Sequence, residues 1–268
     1  MRHLIDAFHG AAVRFSQDGC AFLAQAIAFN ALFAIFPLVV LGIAFLAFVY
    51  GTNDAQSEAV ALIGSVAPGV QGVIGDNIRQ IVNFRSLSSL IGLVVLVWSG
   101  KNLFMALSYA LNRALGIEKG RPLLTDIAVS LVILPVLGVI LIVATALPIA
   151  ITLAVQYGGF PHAQMATQVA GYAAGFLLVF AVSMLLYTYL PNRRMPPGFA
   201  LPGALFTSVA WEVAQIAFGV YTAHVNFLHL YGALSTLAIL LLWFYYMGII
   251  FLYGAQLSAR WWSQDEQA

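Results

Sequence analysis

The chain has 268 residues, 62% of them hydrophobic and 8% charged, with a formal net charge of +1. Soluble domains carry about 25% charged residues and about 45–50% apolar ones, and a soluble fold of this size has no way to hide so much apolar surface. These numbers exclude an ordinary cytosolic enzyme, a disordered chain and a fibrous repeat. The small net charge gives no basis for nucleic-acid binding, and the single cysteine, Cys20, permits neither an intramolecular disulfide nor a thiolate metal cluster.

What remains is an all-α polytopic membrane protein. A helix needs about 20 apolar residues to cross a bilayer, and charges within it are costly. Residues 1–23 read as an amphipathic N-terminal segment. No charge occurs between Asp18 and Asp54, and a first span is expected over 24–50, far longer than the apolar core of a signal peptide, about 7–15 residues. Over 53–85, Val70, Val73, Ile74, Ile78, Ile81 and Val82 recur at helical spacing with Asp76, Arg79 and Gln80 between them. That is an amphipathic helix on the outer side, either lying on the membrane surface or dipping in as a re-entrant segment. The second span, 87–111, contains one charge, Lys101. The charge-free run from Asp126 to Arg193 holds two spans, 127–153 and 167–190, separated by a turn at Gln156–His162. From Arg194 to Arg260 the single charge is Glu212, and His224–His229 divides this run into spans at 200–222 and 232–257. Residues 258–268 form a tail. The whole is expected to be one membrane domain of six transmembrane helices.

Six crossings place both termini on one side. Arg2, Arg14, Arg113, Lys119, Arg121, Arg193, Arg194 and Arg260 gather there, against Arg79 and Arg85 opposite. By the positive-inside rule that side is the cytoplasm.

Lys101 and Glu212 are the ionisable residues inside spans, and each costs at least about 2.5–3.5 kcal/mol at the bilayer centre. Counting about 1.5 Å per residue from the span ends puts them at similar depth, so a direct pair is permitted; the plainer reading has each at its own watery edge. Asn30, Asn102, Gln215 and Gln256 are further polar candidates within spans, although most such residues simply bond neighbouring helices. Gln215 shares a helix face with Glu212. Gly171-Tyr-Ala-Ala-Gly175 is a small-xxx-small motif suited to a close helix contact. Pro37, Pro135 and Pro148 are expected to kink helices. There is no phosphate-binding loop and no His-Glu-x-x-His, and no catalytic residue, metal or cofactor is expected. His224 and His229 do not share a helix face, and nothing adjacent in sequence activates Cys20.

Several strings are together distinctive: Ala28-Phe-Asn-Ala-Leu-Phe-Ala-Ile-Phe-Pro-Leu38, Trp98-Ser99, Ala110-Leu-Asn-Arg113, Arg121-Pro122, Tyr187-Thr-Tyr-Leu-Pro-Asn-Arg-Arg194, Leu201-Pro-Gly-Ala204, Trp211-Glu212, Phe218, Tyr221, Tyr231-Gly-Ala233, Trp243-Phe-Tyr245 and Gly254-Ala-Gln256. In these the chain resembles the YihY/BrkB membrane proteins (UPF0761-like) over nearly its whole length. The resemblance implies a six-span protein of the bacterial inner membrane. Members have carried the labels ribonuclease BN, virulence factor or uncharacterised protein, and some are linked to moving lipid or lipopolysaccharide precursors. The family often has an acidic residue where Gln256 stands here. A ribonuclease needs accessible acid–base groups and a basic path for phosphate, which short, carboxylate-poor loops supply badly.

The leading expectation is a transporter or flippase for an anionic lipid or lipid-linked envelope precursor. Lys101, Arg193 and Arg194 would attract head groups, and Glu212 would balance Lys101 or carry a proton. Membrane lipids are the expected partners. A non-transporting envelope scaffold holding other envelope proteins, and an intramembrane lipid-acting enzyme, are the alternatives. Small-residue faces and many aromatics are compatible with a homo-oligomer.

Overall fold

The structure is a computed structural model that describes residues 2–50, 87–117, 163–224 and 235–265, with isolated positions between 122 and 140. The described residues form helices and their connections, with no strand among them. The helices are α1 (Arg2–Gln17), α2 (Cys20–Tyr50), α3 (Leu87–Ala114), α4 (Ala163–Tyr189), α5 (Pro197–His224) and α6 (Ser235–Asp265). The expected outer segment 53–85 lies outside the described residues, as does most of the expected span 127–153 with Pro135 and Pro148.

Three stretches among the described residues are long and apolar enough to cross a membrane: Gly171–Tyr189, Pro197–Tyr221 and Leu237–Trp262. A fourth arises if Asp6–Gln17 and Cys20–Ile35, bent by 71°, count as one. The three fall on the expected fourth, fifth and sixth spans, and the bent pair overlaps the expected first span, 24–50, only over 24–35. Helix α3 covers the residues of the expected second span but is not among these stretches. Helix α6 continues past the expected end at 257 to Asp265, carrying Arg260, Trp261 and Trp262 on the last turns of the same helix. Along α5, Leu205, Val209, Val213, Ile216 and Val220 recur every three or four residues, and all are exposed. A continuous aliphatic stripe left open on a helix is stable against lipid and not against water.

The described chain separates into two compact units, one of Met1–Ala24, Leu107–Ile216 and Met247–Ala268, the other of Gln25–Ala106 and Ala217–Tyr246. In the first, α1 ends at Gly19, whose φ of 66° only glycine adopts without strain. Its N–H bonds Ser16 O at 3.2 Å, while its own carbonyl accepts from Phe22 and Leu23 at 2.9 and 3.1 Å. One residue thus closes α1 and opens α2. Ala7 and Ala11, one turn apart, bury against Leu257 of α6, with Phe206 and Tyr253 packed around them. The Tyr253 hydroxyl donates to Phe8 O at 2.9 Å, anchoring α1 on α6.

Helices α5 and α6 meet backbone to backbone. A Cβ built on Gly203 would strike Ser258 Oγ and Gly254 O, and one built on Gly254 would strike Thr207 Oγ1, with Gly203 O at 2.8 Å. Without a hydrophobic force between helices in lipid, such close approach is what gives van der Waals packing its strength. Tyr187 of α4 closes the same contact. Its hydroxyl is wholly buried, donates to Phe251 O at 2.6 Å and lies 2.8 Å from Thr207 Oγ1. A phenol has one proton, so Thr207 is the donor in the second bond. Three helices are thereby tied at one point.

In the second unit, Phe218 and Trp243 pack with ring centroids 4.7 Å apart, joining the C-terminal part of α5 to the N-terminal part of α6. Phe29 and Phe33 pack in a tilted arrangement one turn apart on α2, 4.8 Å between centroids.

Gly254→Ala should lower the stability of the detergent-solubilised protein by about 1–3 kcal/mol through overpacking. Gly171→Ala, with nothing within 4 Å of its added Cβ, should be close to neutral; thermal unfolding compares them. Tyr187→Phe leaves Phe251 O without its hydroxyl donor and should cost about 1–3 kcal/mol in the same measurement.

Candidate functional site

The polar residues expected inside the spans fall into the two units separately. In the first unit Glu212 stands in the middle of the α5 span, half-buried. Its Oε1 lies 3.2 Å from where a Cβ on Gly175 would be. Gly175 of α4 therefore makes the room the carboxylate occupies; a larger residue would displace it. The other half of the small-xxx-small motif, Gly171, has nothing within 4 Å of its Cβ position, so the motif serves as a slot for a side chain. The close helix contact expected of it occurs instead at Gly203 and Gly254. Within its own unit Glu212 has no hydrogen bond or ion pair among the described residues. Gln215, three residues on, is exposed. An acidic group set in an apolar helix without an internal partner is a functional candidate by default, because its insertion is otherwise uncompensated.

Gln256 is fully buried on α6. Its Nε2 donates to Asp18 Oδ2 at 2.6 Å and lies 3.7 Å from Cys20 Sγ, while its Oε1 has no hydrogen-bond partner among the described residues. The amide thus secures the corner between α1 and α2 to the C-terminal half of α6. The sequence reading named Gln256 but not Asp18, which stands 238 residues away in the chain. Cys20 is buried too, consistent with a structural thiol.

Arg193 and Arg194 lie exposed in the turn between α4 and α5. The turn itself is firmly seated: Leu190, Pro191 and Met195 are buried, and Asn192 N–H donates to Asn112 Oδ1 of α3 at 2.7 Å. Pro196 caps α5, its carbonyl accepting from Phe199 and Ala200 at 3.0 and 3.3 Å. Asn112 and Asn192 were both inside the strings singled out in the sequence, and a buried asparagine at a helix end is a signal for loop anchoring.

In the second unit Lys101 is exposed on α3 and Asn102 half-buried beside it. Asn30 donates to Ala26 O of its own helix at 2.8 Å, an ordinary local bond within α2. Among the described residues no group of three or more His, Cys, Asp or Glu is placed to hold a metal ion.

Comparison with known proteins matches this arrangement to a family. The sequence model of the virulence factor BrkB family aligns with residues 11–267. The ribonuclease-like protein YfkH of Bacillus subtilis is 24% identical over 249 residues, 87% of this chain and 86% of that protein. A UPF0761 membrane protein of Pseudoalteromonas translucida is 28% identical over 244 residues, 87% of this chain and 78% of that one. Another, from Legionella pneumophila, is 26% identical over 250 residues; there the match takes in 91% of this chain but 59% of a longer protein. No solved structure matches. With its apolar helices and a match over almost its entire length, the chain is an integral membrane protein and belongs to the virulence factor BrkB family, whose relatives here are UPF0761 membrane proteins of bacteria.

Proposed function

We propose that this protein moves an anionic lipid or lipid-linked envelope precursor across the bacterial inner membrane, with both termini in the cytoplasm. The observation that carries the reading is Glu212: a carboxylate in the middle of an apolar span, lodged against the bare backbone of Gly175 and without a partner among the described residues of its own unit. Solid helix bundles do not keep such a group, since hydrocarbon penalises it by at least about 2.5–3.5 kcal/mol. A polar passage gives it a reason to persist. Each unit supplies one charged group to this reading: for Lys101 of the second unit the proposed role is to attract a head group, and for Glu212 of the first unit it is to carry a proton. Arg193 and Arg194 draw head groups to the cytoplasmic end. Asn102 of the second unit and Gln215 of the first are further polar candidates.

The runner-up is a scaffold for envelope proteins that transports nothing. It is favoured by the first unit, where Tyr187, Gln256 and Gly203–Gly254 make a tightly bonded interior. The name of the Bacillus relative points to a third activity, RNA cleavage, which a net charge of +1 supports poorly.

Purified protein in lipid vesicles separates these. Glu212→Gln and Lys101→Met should each slow translocation of fluorescent phosphatidylglycerol about tenfold, a barrier increase of about 1.4 kcal/mol, while thermal unfolding stays near that of the parent. Equal rates for parent, both variants and empty vesicles would remove transport and leave the scaffold.

A further inference from the structure

On one side of α5 the packing stops abruptly. Ala204, Ser208 and Gln215 share that side, because spacings of seven and eleven residues are close to two and three helical turns. Ala204 and Ser208 are wholly buried, yet Gln215 is exposed. Glu212, between them in sequence, is half-buried against Gly175 of α4. One turn away on α4 the cover ends: Gly171 is exposed, and nothing lies within 4 Å of its Cβ position. The unit therefore closes around Ala204 and Ser208 and leaves Glu212 and Gln215 at an open edge, flanked by exposed Val209, Val213 and Ile216. Neither polar side chain makes a hydrogen bond or ion pair among the described residues of the unit.

Both groups lie within the span Pro197–Tyr221. A carboxamide in hydrocarbon is costly until its N–H groups find an acceptor, and helices that carry such groups associate through them. The acceptor has to come at the same depth on an otherwise apolar surface. A second copy of this chain meets that requirement. All copies take one orientation in the membrane, so two α5 helices meet in parallel about a two-fold axis along the membrane normal, each residue level with its counterpart. Glu212 and Gln215, three residues apart, are separated by about 60° around α5 and about 4.5 Å along it. With the line of contact passing between them, the two-fold operation sets Glu212 of each copy on the same side of the axis as Gln215 of the other. The carboxamide then donates to the carboxylate twice, in charge-assisted bonds, and the two carboxylates stand on opposite sides of the axis.

We infer that this chain forms a two-fold dimer through α5, in which Glu212 of each copy accepts from Gln215 of the other. The inference does not rest on transport, since a seam of paired carboxylates and carboxamides between two copies serves a passage or a scaffold equally.

The test uses the full chain, fused at its C terminus to a fluorescent protein and held at low density in vesicles of phosphatidylethanolamine and phosphatidylglycerol, with the dimer fraction read by single-molecule photobleaching. The parent should be dimeric. Gln215→Leu should weaken association about tenfold, and Gln215→Glu, which sets carboxylate against carboxylate, at least as much. Combining Gln215→Glu with Glu212→Gln exchanges the two groups and should restore parent-like pairing, an outcome that a merely misfolded variant does not give. A photoreactive benzoylphenylalanine in place of exposed Ile216 should cross-link to a second copy. A monomeric parent, or parent-like association by both single Gln215 variants, would overturn the interface. Cross-links found only within one chain or to lipid would put another occupant on this face and overturn it equally. Glu212→Gln alone keeps an acceptor and should stay dimeric even where translocation slows, so the pairing and the transport reading can fail separately.

Discussion

Direct backbone contact between α5 and α6 at Gly203 and Gly254 is the constraint on which the first unit depends. In lipid, apolar side chains gain nothing by leaving one hydrocarbon surface for another, so helices stay together through close packing and a few hydrogen bonds. Two glycines facing each other remove the side chains that would hold the helices apart. The same approach brings Thr207 beside the Tyr187 hydroxyl, which in turn reaches Phe251 O. A phenol, a hydroxyl and a carbonyl then satisfy one another where water is scarce, and an unmade bond would cost more than in water. The buried strip of α6, from Gly254 to Ala259, follows from this closeness: neighbours on several sides leave almost none of its surface open.

Against so tight an interior, Glu212 is the exception. It sits on the same helix as Gly203 and Thr207 but farther along, where α4 offers Gly175 in place of a bulky residue. The helix that supplies the tightest packing therefore also carries a carboxylate with no partner among the described residues of its unit. Gln256 poses a smaller version of the same question: one side of its amide is bound to Asp18 and the other has no partner. Glu212 is half-buried and Gln256 fully so, and on that ground we assign Glu212 to the proposed passage and Gln256 to the architecture.

Resemblance of sequence carried the family assignment, and composition carried the membrane assignment. Neither says what the family moves or holds. A relative with a ribonuclease-like name and others named simply as membrane proteins share the same helices, and shared helices do not establish shared chemistry. A specific function is to be sought at a group such as Glu212, which is expensive to place in an apolar span and does not close the core.

How much was legible in the chain follows from what a bilayer demands. Runs of about 20 residues without charge identify helices whatever their neighbours, because hydrocarbon requires every backbone group to be satisfied within the segment. The expected spans at 167–190 and 200–222 accordingly agree with α4 and α5 to within a few residues. The turn after Tyr187 was legible as well, since Pro191 cannot continue a helix and two arginines follow. What a helix packs against was not. Gly171 and Gly175 looked like a contact surface, yet the contact is at Gly203 and Gly254, and the partners of Gln256 and Tyr187 lie 238 and 64 residues away along the chain. Lipid-facing and helix-facing surfaces are equally apolar here, so hydropathy contains no record of rotation about a helix axis. Only the assembled helices, by letting backbones touch at one angle and not another, decide which small residues become contacts and which polar groups are buried together.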